Sequence, residues 1–158
     1  AGYSAALAKR LNELSKLEVR EAVDGESLER GEVLIAPGDM HMVLVKRGAD
    51  GYGVRLKQGP KVNQCRPSVD MLFESAAPLV GNKAVAGILT GMGEDGARGL
   101  LALRNAGSKT FAQDEKTCVV YGMPRKAFEA GGVQKQVALG DIATHIVKCV
   151  AGTAAQPR

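Results

Sequence analysis

A glycine-rich loop in the middle of the chain carries the residues best suited to chemistry. It reads Gly91-Met92-Gly93-Glu94-Asp95-Gly96, after an apolar run and before a helical pattern. The glycines match the spacing of a dinucleotide-binding loop, and Asp114 lies where the acidic ribose partner of such a loop is expected. A pyrophosphate, however, needs bare N–H groups at a helix start, and the carboxylates of Glu94 and Asp95 would repel it there.

The same loop allows two other interpretations, both centred on Asp95. Functional residues of open α/β sheets lie just beyond the carboxyl ends of the strands. Asp95 is therefore a candidate for the carboxylate that orients a catalytic imidazole in a Ser-His-Asp triad. Alternatively, Asp95 or Glu94 caps the helix that follows the loop. Dinucleotide binding through Gly91, Gly93 and Gly96, a catalytic carboxylate and a helix cap all remain open on the local pattern.

The remaining reactive side chains form no recognisable cluster. The cysteines Cys65, Cys118 and Cys149 are odd in number and widely spaced. This spacing argues against a disulfide framework or a structural zinc site and predicts buried, inert thiols in a reducing compartment. His41 lies in a strand pattern and His145 in a helical pattern, and two histidines alone do not make a metal site. We therefore predict no metal site from these residues.

Composition narrows the class of protein. The chain has 158 residues, a usual length for one domain, and a net charge of +4. The basic excess is mild and spread out, and three Phe, three Tyr and no Trp offer few stacking groups, so nucleic-acid binding is not expected. No apolar run approaches the ~18–20 residues that a membrane span needs, so membrane insertion is not expected either.

The elements that must hold the loop alternate between strand and helix. Residues 3–15 show helical spacing, and short alternating runs between 17 and 56 predict strands, with a hairpin at Asp50-Gly51. Ser68 caps a helix that runs to about Ala77 and ends at Pro78. Beyond it the pattern predicts strands over 84–90, 109–113 and 136–138, and helices over 97–106, 124–130 and about 141–150. Such alternation predicts an α/β fold with a parallel sheet and a small antiparallel excursion.

Four segments together resemble the catalytic domain of the chemotaxis receptor methylesterases, the CheB family. They cover nearly the whole chain in the right order: Ile35-Ala36-Pro37-Gly38-Asp39-Met40-His41-Met42, Arg66-Pro67-Ser68-Val69-Asp70, Ile88-Leu89-Thr90-Gly91-Met92-Gly93-Glu94-Asp95-Gly96-Ala97, and Ala112-Gln113-Asp114-Glu115 followed by Cys118-Val119-Val120-Tyr121-Gly122-Met123-Pro124.

The resemblance implies a three-layer, doubly wound, mostly parallel, Rossmann-like sheet with an antiparallel hairpin. It implies hydrolysis of γ-glutamyl methyl esters, and deamidation of glutamines, on methyl-accepting chemotaxis receptors in the cytoplasm. Asp95 matches the triad aspartate, and Met92 matches the residue whose backbone N–H belongs to the oxyanion hole. No metal or organic cofactor is implied. A receiver domain often precedes this domain in the family.

The chain departs from the family pattern at its beginning. The family's nucleophilic Ser and its His precede the helix that 3–15 matches, and neither has a counterpart here. Ser68 is predicted to be a helix cap rather than a substitute nucleophile. We therefore expect residues 1–152 to be an incomplete catalytic domain lacking its first strands and inactive alone, with 153–158 a frayed tail. A non-enzymatic interaction module is the remaining alternative.

Overall fold

The strand and helix patterns become twelve regular elements in the computed structural model, which describes residues 2–154. In chain order they are α1 (Tyr3–Leu14), β1 (Glu18–Glu21), β2 (Glu32–Ile35), β3 (His41–Arg47), β4 (Gly51–Lys57), α2 (Val69–Val80), β5 (Val85–Ile88), α3 (Ala97–Asn105), β6 (Lys109–Gln113), α4 (Met123–Glu129), β7 (Lys135–Val137) and α5 (Ile142–Ala154). The predicted tail begins inside α5, which continues to Ala154, and its residues 155–158 lie outside the described part.

The strands form two parallel groups and one antiparallel pair. Strands β5, β6 and β7 are parallel neighbours in that order, and β1 pairs with β2 in parallel. Within residues 2–154 no ladder joins the two parallel groups. Each crossover from β5 to β6 and from β6 to β7 carries a helix, as parallel neighbours require. The α/β class predicted from the alternation is confirmed.

The antiparallel excursion is the hairpin of β3 and β4, as the sequence predicted. Their register pairs His41 with Lys57 at one end and Arg47 with Gly51 at the other. The connection is Gly48–Asp50, with Gly48 at φ 57°, so Gly51 is already the first residue of β4. A helix in the following segment, α2, packs against β3 and joins this hairpin to the rest of the fold.

The main core lies between the β5–β6–β7 sheet and helices α2, α3 and α4. Leu100 and Leu103 of α3 and Ala112 of β6 are almost completely buried in it. Burying a leucine side chain contributes about 1.5–3 kcal/mol. This core holds β5 and the start of α3 rigidly, and the glycine loop lies between them.

Helix α2 does not end at Pro78 as predicted, because Pro78 lies inside it and the helix runs on to Val80. Proline removes one backbone donor and crowds the preceding turn, and the prediction considered only these local effects. The prediction was wrong because α2 packs on both β3 and α3, and this tertiary contact outweighs one lost hydrogen bond. The hydroxyl of Tyr52 also donates to the carbonyl of Leu79 at 3.3 Å, so one C-terminal carbonyl is satisfied.

Helix α5 covers the other face of the sheet and carries His145. The imidazole of His145 packs edge-on against Phe111, with 5.4 Å between ring centroids. Burial holds the pKa of His145 below its ordinary value of 6.5, and the nearby charges of Lys135 and Lys148 lower this pKa further. Asp141 lines the same cavity as these basic residues. Protonating His145 is therefore less favourable in the folded chain than in the unfolded one.

A pH effect on stability follows from that shift. Below pH 6.5 the unfolded chain binds the His145 proton more readily, so this contribution to stability is present above pH 6.5 and is lost as pH falls. We expect the melting temperature to fall less in His145→Gln than in the wild type when the pH is lowered from about 7.5 to about 5.5. Thermal unfolding followed by circular dichroism measures this, and equal losses in the two proteins would contradict it.

None of the helices described between residues 2 and 154 is long and apolar enough to cross a lipid bilayer.

Candidate active site

The side chain of Asp95 is buried against the N-terminus of α2. Only 3% of Asp95 is exposed. Its Oδ1 accepts a hydrogen bond from Ser68 Oγ at 2.7 Å, and its Oδ2 accepts one from the backbone N–H of Val69 at 2.6 Å. The backbone N–H of Asp70 and the amide of Asn63 also donate to Oδ1, at 3.3 and 3.1 Å. A helix N-terminus presents N–H groups and positive partial charge, which suit a carboxylate.

The contacts of Asp95 and Asp114 bear on the interpretations that the sequence left open for the glycine loop. The residue that precedes α3 is Gly96, and no side chain caps that helix. The prediction that Asp95 or Glu94 caps the following helix was therefore wrong, because Asp95 reaches α2 instead. Asp114, the proposed ribose partner, accepts from the backbone N–H of Thr117 at 3.1 Å and caps a 3-10 turn.

Gly96 allows the loop to approach α2 closely enough for these contacts. It has a φ of +92°, in the left-handed region that favours glycine. A Cβ at Gly96 would lie 2.7 Å from Cγ1 of Val69 and 3.0 Å from Cδ1 of Ile88. The glycine therefore both turns the chain after Asp95 and leaves room for the first turn of α2.

A second buried carboxylate, Asp70, lies beside Asp95 and ties α2 to α3. Asp70 is 1% exposed, and its Oδ1 accepts from the backbone N–H of Gly99 at 2.8 Å. Its Oδ2 accepts from Asn63 Nδ2 at 2.8 Å, and Arg98 Nε lies 3.5 Å away. Gly99 permits the close helix contact, since a Cβ there would lie 2.5 Å from Cβ of Phe73. Donors therefore hold both carboxylates in place.

His41 and Ser68 support the same helix end and are not free to react. The backbone N–H of Ser68 donates to Nδ1 of His41 at 3.2 Å, so Nε2 carries the proton and donates to the carbonyl of Pro60 at 2.9 Å. The Oγ of Ser68 accepts from the backbone N–H of Met71, which confirms Ser68 as the cap of α2. Both residues are buried. They position α2 and leave no nucleophile–base pair.

The glycine loop holds Met92 at the surface by backbone bonds on either side. The N–H of Gly91 donates to the carbonyl of Val120 at 3.1 Å, and the N–H of Met123 donates to the carbonyl of Gly91 at 2.8 Å. Met92 itself is 85% exposed. Its backbone N–H has no acceptor among residues 2–154. That N–H is therefore available to a negatively charged oxygen arriving from outside.

An open groove of about 820 Å³ lies directly against this loop. Its walls come from the loop before α2, the glycine loop and the start of α4, through Asn63, Gln64, Met92, Glu94, Tyr121 and Arg125 among others. A neighbouring cavity of about 420 Å³ shares Asn63, Glu94 and Lys126 with it and reaches Asp70 and Arg98. Met92 is thus placed where a molecule that enters the groove can reach it.

The cysteines do not supply a nucleophile to this site. Burial raises the pKa of the Cys65 thiol, and the charge of Asp95 raises it further. Burial is also the main cause that raises the pKa of Cys118. A raised pKa keeps a thiol protonated, and the protonated form is a poor nucleophile. All three cysteines are half-buried rather than fully buried as predicted. No three His, Cys, Asp or Glu side chains among the described residues are grouped to hold a metal ion.

The sequence predicted roles for Asp95 and Met92, which stay predictions, and gave none to Asn63 and Asp70, which the structure places beside Asp95. Asp70 belongs to the quoted segment 66–70, but its burial beside Asp95 depends on contacts about 25 residues apart in the chain. Asn63 carried no sequence signal, because its loop has no pattern of its own. Long-range contacts of this kind are not visible in local spacing.

Comparison with known proteins gives one family. The family model described as CheB methylesterase matches residues 1–146. A protein-glutamate methylesterase/protein-glutamine glutaminase of Oleidesulfovibrio alaskensis is 53% identical over 146 residues, covering 92% of this chain and 41% of that protein. A protein of the same name from Pseudomonas aeruginosa is 50% identical over 147 residues, covering 93% of this chain and 42% of that protein.

A solved structure confirms the fold. The crystal structure of the Thermotoga maritima CheB methylesterase catalytic domain matches with a TM-score of 0.89 and 37% sequence identity. The match covers 93% of this chain and 77% of that chain. The chain thus spans about two fifths of the length of the curated relatives that it matches.

Proposed function

Because this chain belongs to the CheB methylesterase family, we propose that it carries part of the machinery of a receptor-modifying esterase. Asp95 is the triad carboxylate, and the backbone N–H of Met92 is a donor of the oxyanion hole. The substrates are γ-glutamyl methyl esters and certain glutamine side chains of methyl-accepting chemotaxis receptors, on the cytoplasmic side.

The observation that carries this proposal is that Asp95 and Met92 lie in environments suited to two different roles. Asp95 is buried and held by four donors, as suits a group that orients an imidazole without reacting itself. Met92 is exposed at a groove with an unused backbone N–H, as suits a group that binds an oxyanion during the reaction.

The same two groups serve both reactions of the proposed enzyme. A serine hydroxyl, losing its proton to a histidine, attacks the side-chain carbonyl carbon of the substrate and forms a tetrahedral oxyanion. The N–H of Met92 stabilises that oxyanion, and Asp95 stabilises the protonated histidine. The protonated histidine gives its proton to the leaving group, so that methanol leaves from an ester or ammonia from an amide, and water then hydrolyses the acyl-enzyme to the free glutamate and regenerates the serine.

The serine and histidine come from polypeptide outside residues 2–154. Ser68 and His41 are committed to the start of α2, and the curated relatives are more than twice as long as the matched segment. That extra length in the relatives has room for the receiver domain that often precedes this domain in the family. The partners of the protein are then the chemotaxis receptors.

Methanol release tests the proposed activity. We expect the full-length gene product to release methanol from a peptide containing a γ-glutamyl methyl ester, and residues 1–158 alone to release none. The readout is methanol formed per folded protein, with ammonia release from the matching glutamine peptide as the second reaction. Turnover by residues 1–158 that disappears in Asp95→Ala would contradict the expectation that the segment alone is inactive.

A further inference from the structure

The turn that carries Asn63 is held in an unusual backbone conformation. Val62 and Cys65 exchange backbone hydrogen bonds of 3.1 and 2.8 Å, so Asn63 and Gln64 are the two central residues of a tight turn. Their φ angles are +50° and +64°, as in a type I′ turn. Asparagine tolerates this left-handed region, whereas glutamine rarely adopts it. The turn thus delivers the Asn63 side chain to one defined place.

That place lies between the two buried carboxylates. Nδ2 of Asn63 is 2.8 Å from Oδ2 of Asp70 and 3.1 Å from Oδ1 of Asp95. A carboxamide oxygen facing two carboxylates would be repelled, so the nitrogen must point inward and both of its hydrogens are used. Asn63 is therefore a bridge between the start of α2 and the glycine loop.

The donors divide unequally between the two oxygens of Asp95. Oδ1 accepts from Ser68 Oγ, from Asn63 Nδ2 and from the backbone N–H of Asp70. Oδ2 accepts from the backbone N–H of Val69 alone. A carboxylate oxygen has about two lone pairs to offer, so the remaining acceptor capacity of Asp95 lies on Oδ2. A half-turn of the carboxylate exchanges two equivalent oxygens and changes nothing, whereas a partial rotation would lose this division of donors.

We infer that Asn63 is a positioning residue that fixes the rotation of the Asp95 carboxylate, so that Oδ2 is presented to an imidazole N–H. This inference rests on the proposed function, because it needs Asp95 to orient a histidine. Without the Asn63 bridge, Oδ1 loses one donor and the carboxylates of Asp70 and Asp95 face each other with no hydrogen between them. The carboxylate of Asp95 then samples more than one orientation.

The test removes the amide and keeps the turn. Asn63→Gly suits the left-handed backbone at this position, so the turn is preserved while the bridge is lost. In the full-length gene product we expect kcat to fall about 10- to 100-fold with KM nearly unchanged, because misplacement of a catalytic group by about 1 Å costs rates of that order. The acid limb of the pH–rate profile should move to lower pH, since a less well placed carboxylate stabilises the imidazolium less.

Controls separate positioning from folding. Gln64→Gly makes the same kind of change one residue along, and its thermal unfolding shows whether the turn tolerates glycine. Asn63→Asp keeps the shape and the left-handed preference but has no N–H to donate, and its third carboxyl group should lower kcat further than glycine does. It provides a second measurement should Asn63→Gly fail to fold.

The outcomes distinguish this inference from the proposed function. Wild-type kcat and an unmoved acid limb in Asn63→Gly or Asn63→Asp, with Asp95→Asn inactive, would overturn the inference and leave the function standing. A loss of folded protein with an unmoved acid limb and normal turnover per folded molecule would also overturn it, since the role would then be structural. Wild-type turnover in Asp95→Asn would instead overturn the proposed function.

Discussion

Replacing Asp95 with asparagine is expected to lower the kcat of the full-length gene product by about 10⁴-fold, as loss of a triad carboxylate does in serine hydrolases. The amide nitrogen of asparagine cannot accept the imidazole N–H that Oδ2 would accept. A neutral side chain also cannot stabilise the imidazolium that forms when the serine loses its proton. The methanol-release assay, run under substrate saturation, measures this loss.

The same substitution has a structural cost that must be measured beside the rate. Either orientation of an asparagine at position 95 sets its NH₂ against donors, namely Val69 N–H on one side or Asn63 Nδ2 and the backbone N–H of Asp70 on the other. A buried donor left without a partner costs about 1–3 kcal/mol. We therefore expect a lower melting temperature in Asp95→Asn, and kcat has to be referred to folded protein.

Asp114→Asn is the matched control for that experiment. Asp114 also follows a parallel strand and accepts backbone and side-chain donors, but they belong to its own 3-10 turn. We expect turnover by Asp114→Asn to stay within about twofold of the wild type, because its interactions are local. If both variants lost activity equally, loss of fold rather than loss of the triad carboxylate would explain the result.

The parts of the fold that were predicted correctly are those determined by interactions between residues close together in the chain. The hairpin of β3 and β4 was predicted correctly from the alternating apolar residues on both sides, but its turn is 48–50, with Gly48 at positive φ, and not Asp50-Gly51. The cap of α2 was predicted correctly because Ser68 acts on N–H groups within one turn of itself. Both depend on neighbours in the sequence.

The errors arose where distant segments meet. Pro78 was expected to end α2, but the packing of that helix on β3 and α3 is not encoded near Pro78. One interpretation expected Asp95 to cap the next helix in the chain, α3. Its side chain instead accepts a hydrogen bond from the first residue of α2, which lies 26 residues earlier. The role that the resemblance to the CheB family implies for Asp95 stays a prediction, and the Asp95→Asn variant tests it.

The position of Met92 can be tested through Gly122, because a backbone N–H cannot be removed by changing its own side chain. A Cβ on Gly122 would lie 2.7 Å from the carbonyl oxygen of Gly91 and 3.2 Å from Cα of Met92 and N of Gly93. The φ of Gly122 is −103°, which alanine adopts without strain, so Gly122→Ala acts by steric contact alone. The loop has to move, and the N–H of Met92 moves with it.

We expect Gly122→Ala to lower kcat by about 10²- to 10³-fold, the range seen when one oxyanion donor is lost, with a much smaller change in KM. Gly140→Ala is the matched control, since a Cβ there meets nothing within 4 Å and that glycine is not held at positive φ. Its kcat should equal that of the wild type. In the proposed mechanism Asp95 and the Met92 N–H act in the same transition state, so the double variant Asp95→Asn/Gly122→Ala should lose less than the product of the two single losses. A Gly122→Ala enzyme with wild-type kcat would remove Met92 from the oxyanion hole and leave the role of Asp95 to be judged on its own variant.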